Sequence, residues 1–148
     1  LYYETNRNTE KAYSLIVRRN ATEQKSISTT TLEMIIAVWS GRPERLESAD
    51  ELLREIVENK TVWLLEHFLR EILIHHQKNV VWAWFRHPEF GQHLMDMARP
   101  FYYATARLLN NKETEETLLA QAPELRETVD EIYNDIMKRQ EFYYGKGK

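Results

Sequence analysis

"SADELLREIVENKTVWLLEHFLREILIHHQKNVVWAWF", residues 48–85, is the stretch on which the fold turns. It opens with Ser48-Ala49-Asp50-Glu51, the Ser-x-x-Glu spacing of a capping box, in which a hydroxyl and a carboxylate satisfy free N–H groups at a helix start. Leu52, Leu53 and Ile56 follow, and apolar residues recur at steps of three and four to Phe85 with no glycine or proline between them. The pattern predicts one long helix. At 100° per residue, Val62, Leu65, Leu69, Ile72, His76, Val80 and Ala83 fall in a single stripe, the seam that faces a partner helix.

The same sparse punctuation holds on either side. Four Gly and four Pro serve 148 residues, and no useful length shows β-branched alternation, so the fold class is all-α. A first helix is expected from Tyr3 to Ser40, stopped by Gly41-Arg42-Pro43, with a break near 26–31 where "SISTTT" is a poor helix former. Thr30-x-x-Glu33 offers a capping box inside it. Its buried stripe would be Tyr13, Ile16, Asn20, Ile27, Thr30, Met34 and Ala37. Asn20 and Thr30 or Thr31 then point polar groups at the core, either to fix register or to meet a ligand.

His87-Pro88 should end the second helix and start a third, which runs to about Leu109 with a kink near Pro100. After the polar "NNKET" (110–114), a last helix carries Leu118, Leu119, Leu125, Val129, Ile132, Tyr133, Ile136 and Met137 at helical spacing. A break is expected near Pro123. Four helical regions joined by short turns form an antiparallel up-down-up-down four-helix bundle, one domain over 1–148 with both ends at one pole. Tyr2-Tyr3 and Phe142-Tyr143-Tyr144 would meet there, to cap the core or to face a bilayer interface.

Composition excludes several function classes. The net charge of −3 lacks the Lys and Arg surplus that nucleic-acid binding requires. There is no cysteine, which removes thiol catalysis, disulfides and Cys-ligated metals. No G-x-S-x-G, phosphate loop or Ser-His-Asp set is present, so no enzyme activity and no cofactor are expected. No apolar run reaches the roughly 18 residues of a membrane span, and the chain opens on Leu1, as a piece of a longer polypeptide or a processed form would.

Candidate site residues cluster in "HHQKNVVWAWFRH" (75–87). His67, Glu71 and His75 recur at steps of four, the spacing of helical metal ligands, but no other helix carries a matching pair. With Lys78 on the same face, a solvated stripe of charge pairs accounts for them more simply, and they remain weak metal candidates. The residues expected to line a ligand pocket or a subunit contact are Trp63, His76, Trp82, Trp84, Arg86, Tyr102 and Tyr103. Phe85 belongs to the same aromatic run. Arg86 and Arg99 flank the "HPEFGQH" turn and suit an anion.

The reading these features favour is a helical-bundle sensing domain, the extracytoplasmic, periplasmic part of a membrane-tethered bacterial receptor such as a histidine kinase or chemoreceptor. It would respond to a small molecule or a partner protein, act as a homodimer, and have flanking transmembrane helices. The alternative is the ligand-binding and dimerisation domain of a cytosolic transcription regulator. A metal-binding oxidase on the His67, Glu71, His75 face is the third.

Overall fold

The computed structural model describes residues 10–18 and 26–145, and the fold is all-α, with helices packed on helices and no strand among the described residues. Internal contacts divide the chain into two compact units, 1–64 and 65–148. Asn20, Tyr2 and Tyr3 lie outside the described residues, and so do the bundle pole and the register role assigned to them.

In unit 1, residues 10–18 are helical (α1), followed by α2 (Ile27–Trp39), a 3₁₀ turn (Pro43–Ser48) and α3 (Ala49–Asn59). The break expected near 26–31 falls at Ser26. The capping box there is Ser26 with Thr29, one turn before the one expected at Thr30 and Glu33. Glu33 is instead buried, and the Arg45 guanidinium donates to it at 3.3 Å. Thr31, also buried, donates its hydroxyl to the Ile27 carbonyl of its own helix, so it needs neither a ligand nor a partner helix. Gly41 takes φ +86° just past the end of α2, as its place in the sequence indicates.

Ser48 does not cap α3. Its hydroxyl is taken up by Arg45, donating to the Arg45 carbonyl and accepting from the guanidinium. Arg42 reaches back to α1, donating twice to Glu10 and lying 4.4 Å over the Tyr13 ring. Leu46, Ala49, Leu52, Leu53 and Ile56 are buried, which makes α3 strongly one-sided.

The long helix expected over 48–85 is interrupted twice. α3 ends at Lys60, a left-handed residue with φ 54°, whose N–H and that of Thr61 return to the Val57 and Ile56 carbonyls. α4 (Val62–Ile74) begins next, and its buried stripe, Leu65, Phe68, Leu69, Ile72 and Leu73, keeps the expected spacing. It stops at a turn in which His76 has φ 65° and the Gln77 N–H reaches the Ile72 carbonyl. α5 (Lys78–Phe85) therefore starts on a new axis, and the seam expected through His76, Val80 and Ala83 is lost: His76 and Ala83 are exposed.

Unit 2 contains residues 65–74 of α4, then α5, α6 (Gly91–Met97), α7 (Arg99–Leu108), α8 (Lys112–Gln121) and α9 (Arg126–Tyr144). The break near Pro100 is at Ala98, with Pro100 in the first turn of α7, where its missing N–H costs nothing. The break near Pro123 is a short 3₁₀ turn, Pro123–Leu125. α7 lies at the centre of the unit, touching α5, α6, α8 and, most extensively, α9.

The α5–α6 corner depends on Gly91. A β-carbon there would collide with the Phe85 carbonyl oxygen and lie 2.9 Å from its carbonyl carbon, and both atoms are backbone. Gly91→Ala should therefore destabilise the chain by about 1–3 kcal/mol, the cost of overpacking, although Ala is the better helix former. Urea unfolding of the two chains measures the difference, and equal stability would show that the corner has room.

Candidate functional site

Unit 2 carries two side-chain clusters that core packing alone does not require. The first is aromatic and partly open to solvent. Tyr102, on α7, is stacked on Trp82 of α5 with ring centroids 5.1 Å apart and planes 12° apart. It meets Phe85 edge-on at 5.5 Å and Tyr103 at 5.3 Å. Arg86 sits 5.9 Å from the Trp82 centroid, a cation over a ring face. Phe85 and Tyr103 are buried and hold the platform, whereas Trp82 and Tyr102 are only half-buried and Arg86 is exposed.

Four of the seven expected pocket residues, Trp82, Arg86, Tyr102 and Tyr103, are thus brought together. The other three are not. Trp84 is buried and stacked on Phe68 at 5.4 Å, a core contact. Trp63 belongs to unit 1 and is 65% exposed. His76 leaves the apolar stripe because the helix ends before it, and its ring lies 4.6 Å from Tyr144. Arg99 is exposed in the first turn of α7.

The second cluster joins the end of α4 to the end of α9. Glu71 is buried and accepts from the Arg139 guanidinium at 3.0 Å through Oε1, while its other oxygen is buried with no hydrogen-bond partner among the described residues. His75, also buried, shares a hydrogen bond between Nδ1 and the Tyr144 hydroxyl, and its ring lies 5.3 Å from that of Tyr143. Gln140 donates to the Leu73 carbonyl at 2.9 Å, which also accepts from the His76 N–H at 3.2 Å at the end of α4. Arg70 pairs with Asp135 at 2.8 Å and also lies 5.3 Å over the Phe101 ring. Farther along α9, Arg107 of α7 donates to Asp130 at 2.7 Å and to Glu115 of α8 at 3.3 Å.

Burial drives the His75 pKa down to about 4, helped by the positive charge of Arg139 and by His76. His75 is therefore neutral at pH 7. Burial works against the Arg139 charge too, but the Glu71 carboxylate, through its field and its hydrogen bond, outweighs this and raises the Arg139 pKa with help from Tyr143 and Asp135.

These positions correct the solvated stripe expected at His67, Glu71 and His75: Glu71 and His75 are buried, and only His67 is exposed. The three do not converge, and among the described residues no three His, Asp or Glu side chains are grouped to hold a metal. What spacing missed is Arg139, which lies 68 residues from Glu71 in sequence and meets it only in the fold. Unit 1 adds a cleft of about 280 Å³ bordered by Ser26, Thr30, Arg45, Glu51 and Glu55. Thr30, one of the residues expected to fix register or meet a ligand, borders it, and none of the seven residues expected to line a pocket does.

No family model, no curated protein and no solved structure matches this chain. Its chemistry has to be read from its own residues.

Removing Arg139 would leave the Glu71 carboxylate buried and uncompensated. Arg139→Ala should cost about 2–4 kcal/mol, somewhat less than breaking a fully buried pair because the guanidinium is partly solvated. Glu71→Leu combined with Arg139→Met should recover most of that loss. Denaturant unfolding of the single and double variants measures both, and a single variant as stable as the parent would show that the pair does not hold α9.

Proposed function

We propose that this chain is a helical sensing domain whose input surface is the Trp82–Tyr102 platform and whose output is the position of α9. The observation that carries the reading is the double role of α7. Tyr102 on this ten-residue helix forms the open aromatic face, and Arg107, a turn and a half further on, holds Asp130 of α9. A ligand that moves Tyr102 moves the anchor of the last helix.

The platform suits a planar apolar molecule bearing an anionic group, with the arene on Trp82 or Tyr102 and the anion at Arg86. α9 suits an output element. Only Val129, Ile132 and Ile136 are fully buried along its 19 residues, and its attachment also includes ion pairs, hydrogen bonds and the ring contacts of Tyr133, Tyr143 and Tyr144. A helix held this way shifts between packings with small changes in contact energy.

Within this reading the domain is the extracytoplasmic, periplasmic part of a bacterial membrane receptor, in which displacement of the last helix is passed to a spanning segment. No described helix is long and apolar enough to cross a membrane. A homodimer fits the exposed Met137 and Phe142 on α9, which a second copy would cover.

Titration of the full chain with phenylacetate, followed by the Trp82 indole signal and the α9 amide signals in NMR spectra, tests the proposal. Both sets should shift together at millimolar concentration, and Trp82→Ala should abolish the response. Arg86→Ala should weaken binding by up to about 1 kcal/mol, near fivefold, as an exposed charge contact allows. Shifts confined to the platform would sever input from output, and unchanged Trp82 and Tyr102 signals would remove the input surface.

A further inference from the structure

The cleft of unit 1 lies between α2 and α3, and the 3₁₀ turn that joins them adds Arg45 and Ser48 to its wall. Its volume of about 280 Å³ is close to the lower end of ligand pockets, about 300 Å³, which suits a small metabolite and not a drug-sized molecule. Met34 of α2 and Leu52 of α3, both buried, give it an apolar floor.

Arg45 is held in position at this cleft. Its guanidinium donates to the buried carboxylate of Glu33 and to the Ser48 hydroxyl. A guanidinium has five N–H groups in a fixed fork, so these two bonds leave the remainder open to an anion. With the side chain only 23% exposed, the fork is partly desolvated. Glu51 and Glu55 border the same cleft one helical turn apart on α3. Among the described residues, neither carboxylate takes part in a hydrogen bond or ion pair, and nor does the hydroxyl of Thr30, which borders the cleft from α2. A lone exposed glutamate is ordinary surface. A fixed guanidinium, two uncompensated carboxylates and an apolar floor around one cavity are a recognition pattern.

We infer that this cleft binds a free basic amino acid of the lysine or ornithine type. The wall offers one guanidinium and two carboxylates, and such an amino acid carries the inverse set: one carboxylate and two ammonium groups, joined by methylenes. The α-carboxylate pairs with Arg45, the α-ammonium with Glu51 and the side-chain ammonium with Glu55, while the Thr30 hydroxyl accepts from an ammonium. Glu51 and Glu55 are about 6 Å apart along the axis, the rise of four residues, which a chain of three or four methylenes spans. Those methylenes lie on Met34 and Leu52, as the stems of basic side chains lie on apolar surface. A diamine would leave Arg45 without an anion, and an apolar amino acid would leave Glu55 without a cation. The site belongs to unit 1 and does not depend on the aromatic platform of unit 2 or on the sensing role given to it.

Titration of the full chain with L-lysine, followed by the methyl signals of Met34 and Leu52 in NMR spectra, tests the inference. Both should shift and saturate at millimolar concentration. L-Norleucine, which lacks the side-chain ammonium, and cadaverine, which lacks the carboxylate, should each bind about fivefold more weakly, the scale of one partly solvated charge contact. Glu55→Gln alters an exposed residue and preserves its shape, so the fold should be unchanged, and it should weaken lysine about fivefold while leaving norleucine as it was. Met34 and Leu52 signals that stay still in lysine overturn the site. Norleucine or cadaverine binding as tightly as lysine overturns the assignment of its ligand, and so does a Glu55→Gln chain that binds lysine as well as the parent.

Discussion

Glu71 places a carboxylate on the buried side of α4, among Phe68, Ile72 and Leu73, where an unpaired charge would cost several kcal/mol. Only a cation brought in from elsewhere in the chain makes that position tenable, and Arg139 is that cation. Meeting this requirement fixes the course of the last helix. Once Arg139 is on Glu71, the 3.6-residue repeat puts Asp135 opposite Arg70 and Gln140 beside the Leu73 carbonyl. Tyr144 then reaches His75. The apolar residues Val129, Ile132 and Ile136 continue the same face toward α7, where Arg107 closes the series on Asp130.

This mode of attachment separates α9 from the other helices of its unit. α4 and α7 are packed through residues such as Leu69, Ile72, Phe101 and Ala104, all nearly without exposure and without a titratable group. α9 depends in addition on charged groups, which respond to salt and pH. The Arg70–Asp135 and Arg107–Asp130 pairs are partly solvated on both sides and individually weak, whereas in the Glu71–Arg139 pair the carboxylate is buried and only the guanidinium is partly solvated. A helix balanced in this way has a docked state that other equilibria can shift. That property, together with the open Trp82–Tyr102 stack on α7, supports a sensing role over a purely structural one.

The all-α class and three of its breaks were legible in the sequence because each break has a local chemical mark: the hydroxyl-rich 26–31 segment, Pro100 and Pro123. The breaks at Lys60 and His76 have none. Both residues are left-handed without being glycine, and the apolar repeat continues through them, so periodicity alone extends one helix from 48 to 85. That same error of phase put His76 in the core stripe. It also grouped His75 with solvated charges when the chain had already turned. Trp82, Arg86, Tyr102 and Tyr103 were found from residue type, since Trp, Tyr and Arg are the types that line pockets and interfaces, while Trp63, Trp84 and His76, chosen in the same way, lie elsewhere. Glu71 was visible as a candidate but its role was not, because a residue 68 positions away leaves no trace in local spacing.

Whether polar contacts more than apolar burial dock α9 is measured directly by native-state hydrogen exchange across a series of salt concentrations at pH 7.5. α9 amides should exchange through an opening that needs less free energy than the opening of Leu65–Leu73, and the gap should widen as salt screens the Arg70–Asp135 and Arg107–Asp130 pairs. Exchange of α9 only through global unfolding, at a rate indifferent to salt, would contradict polar docking.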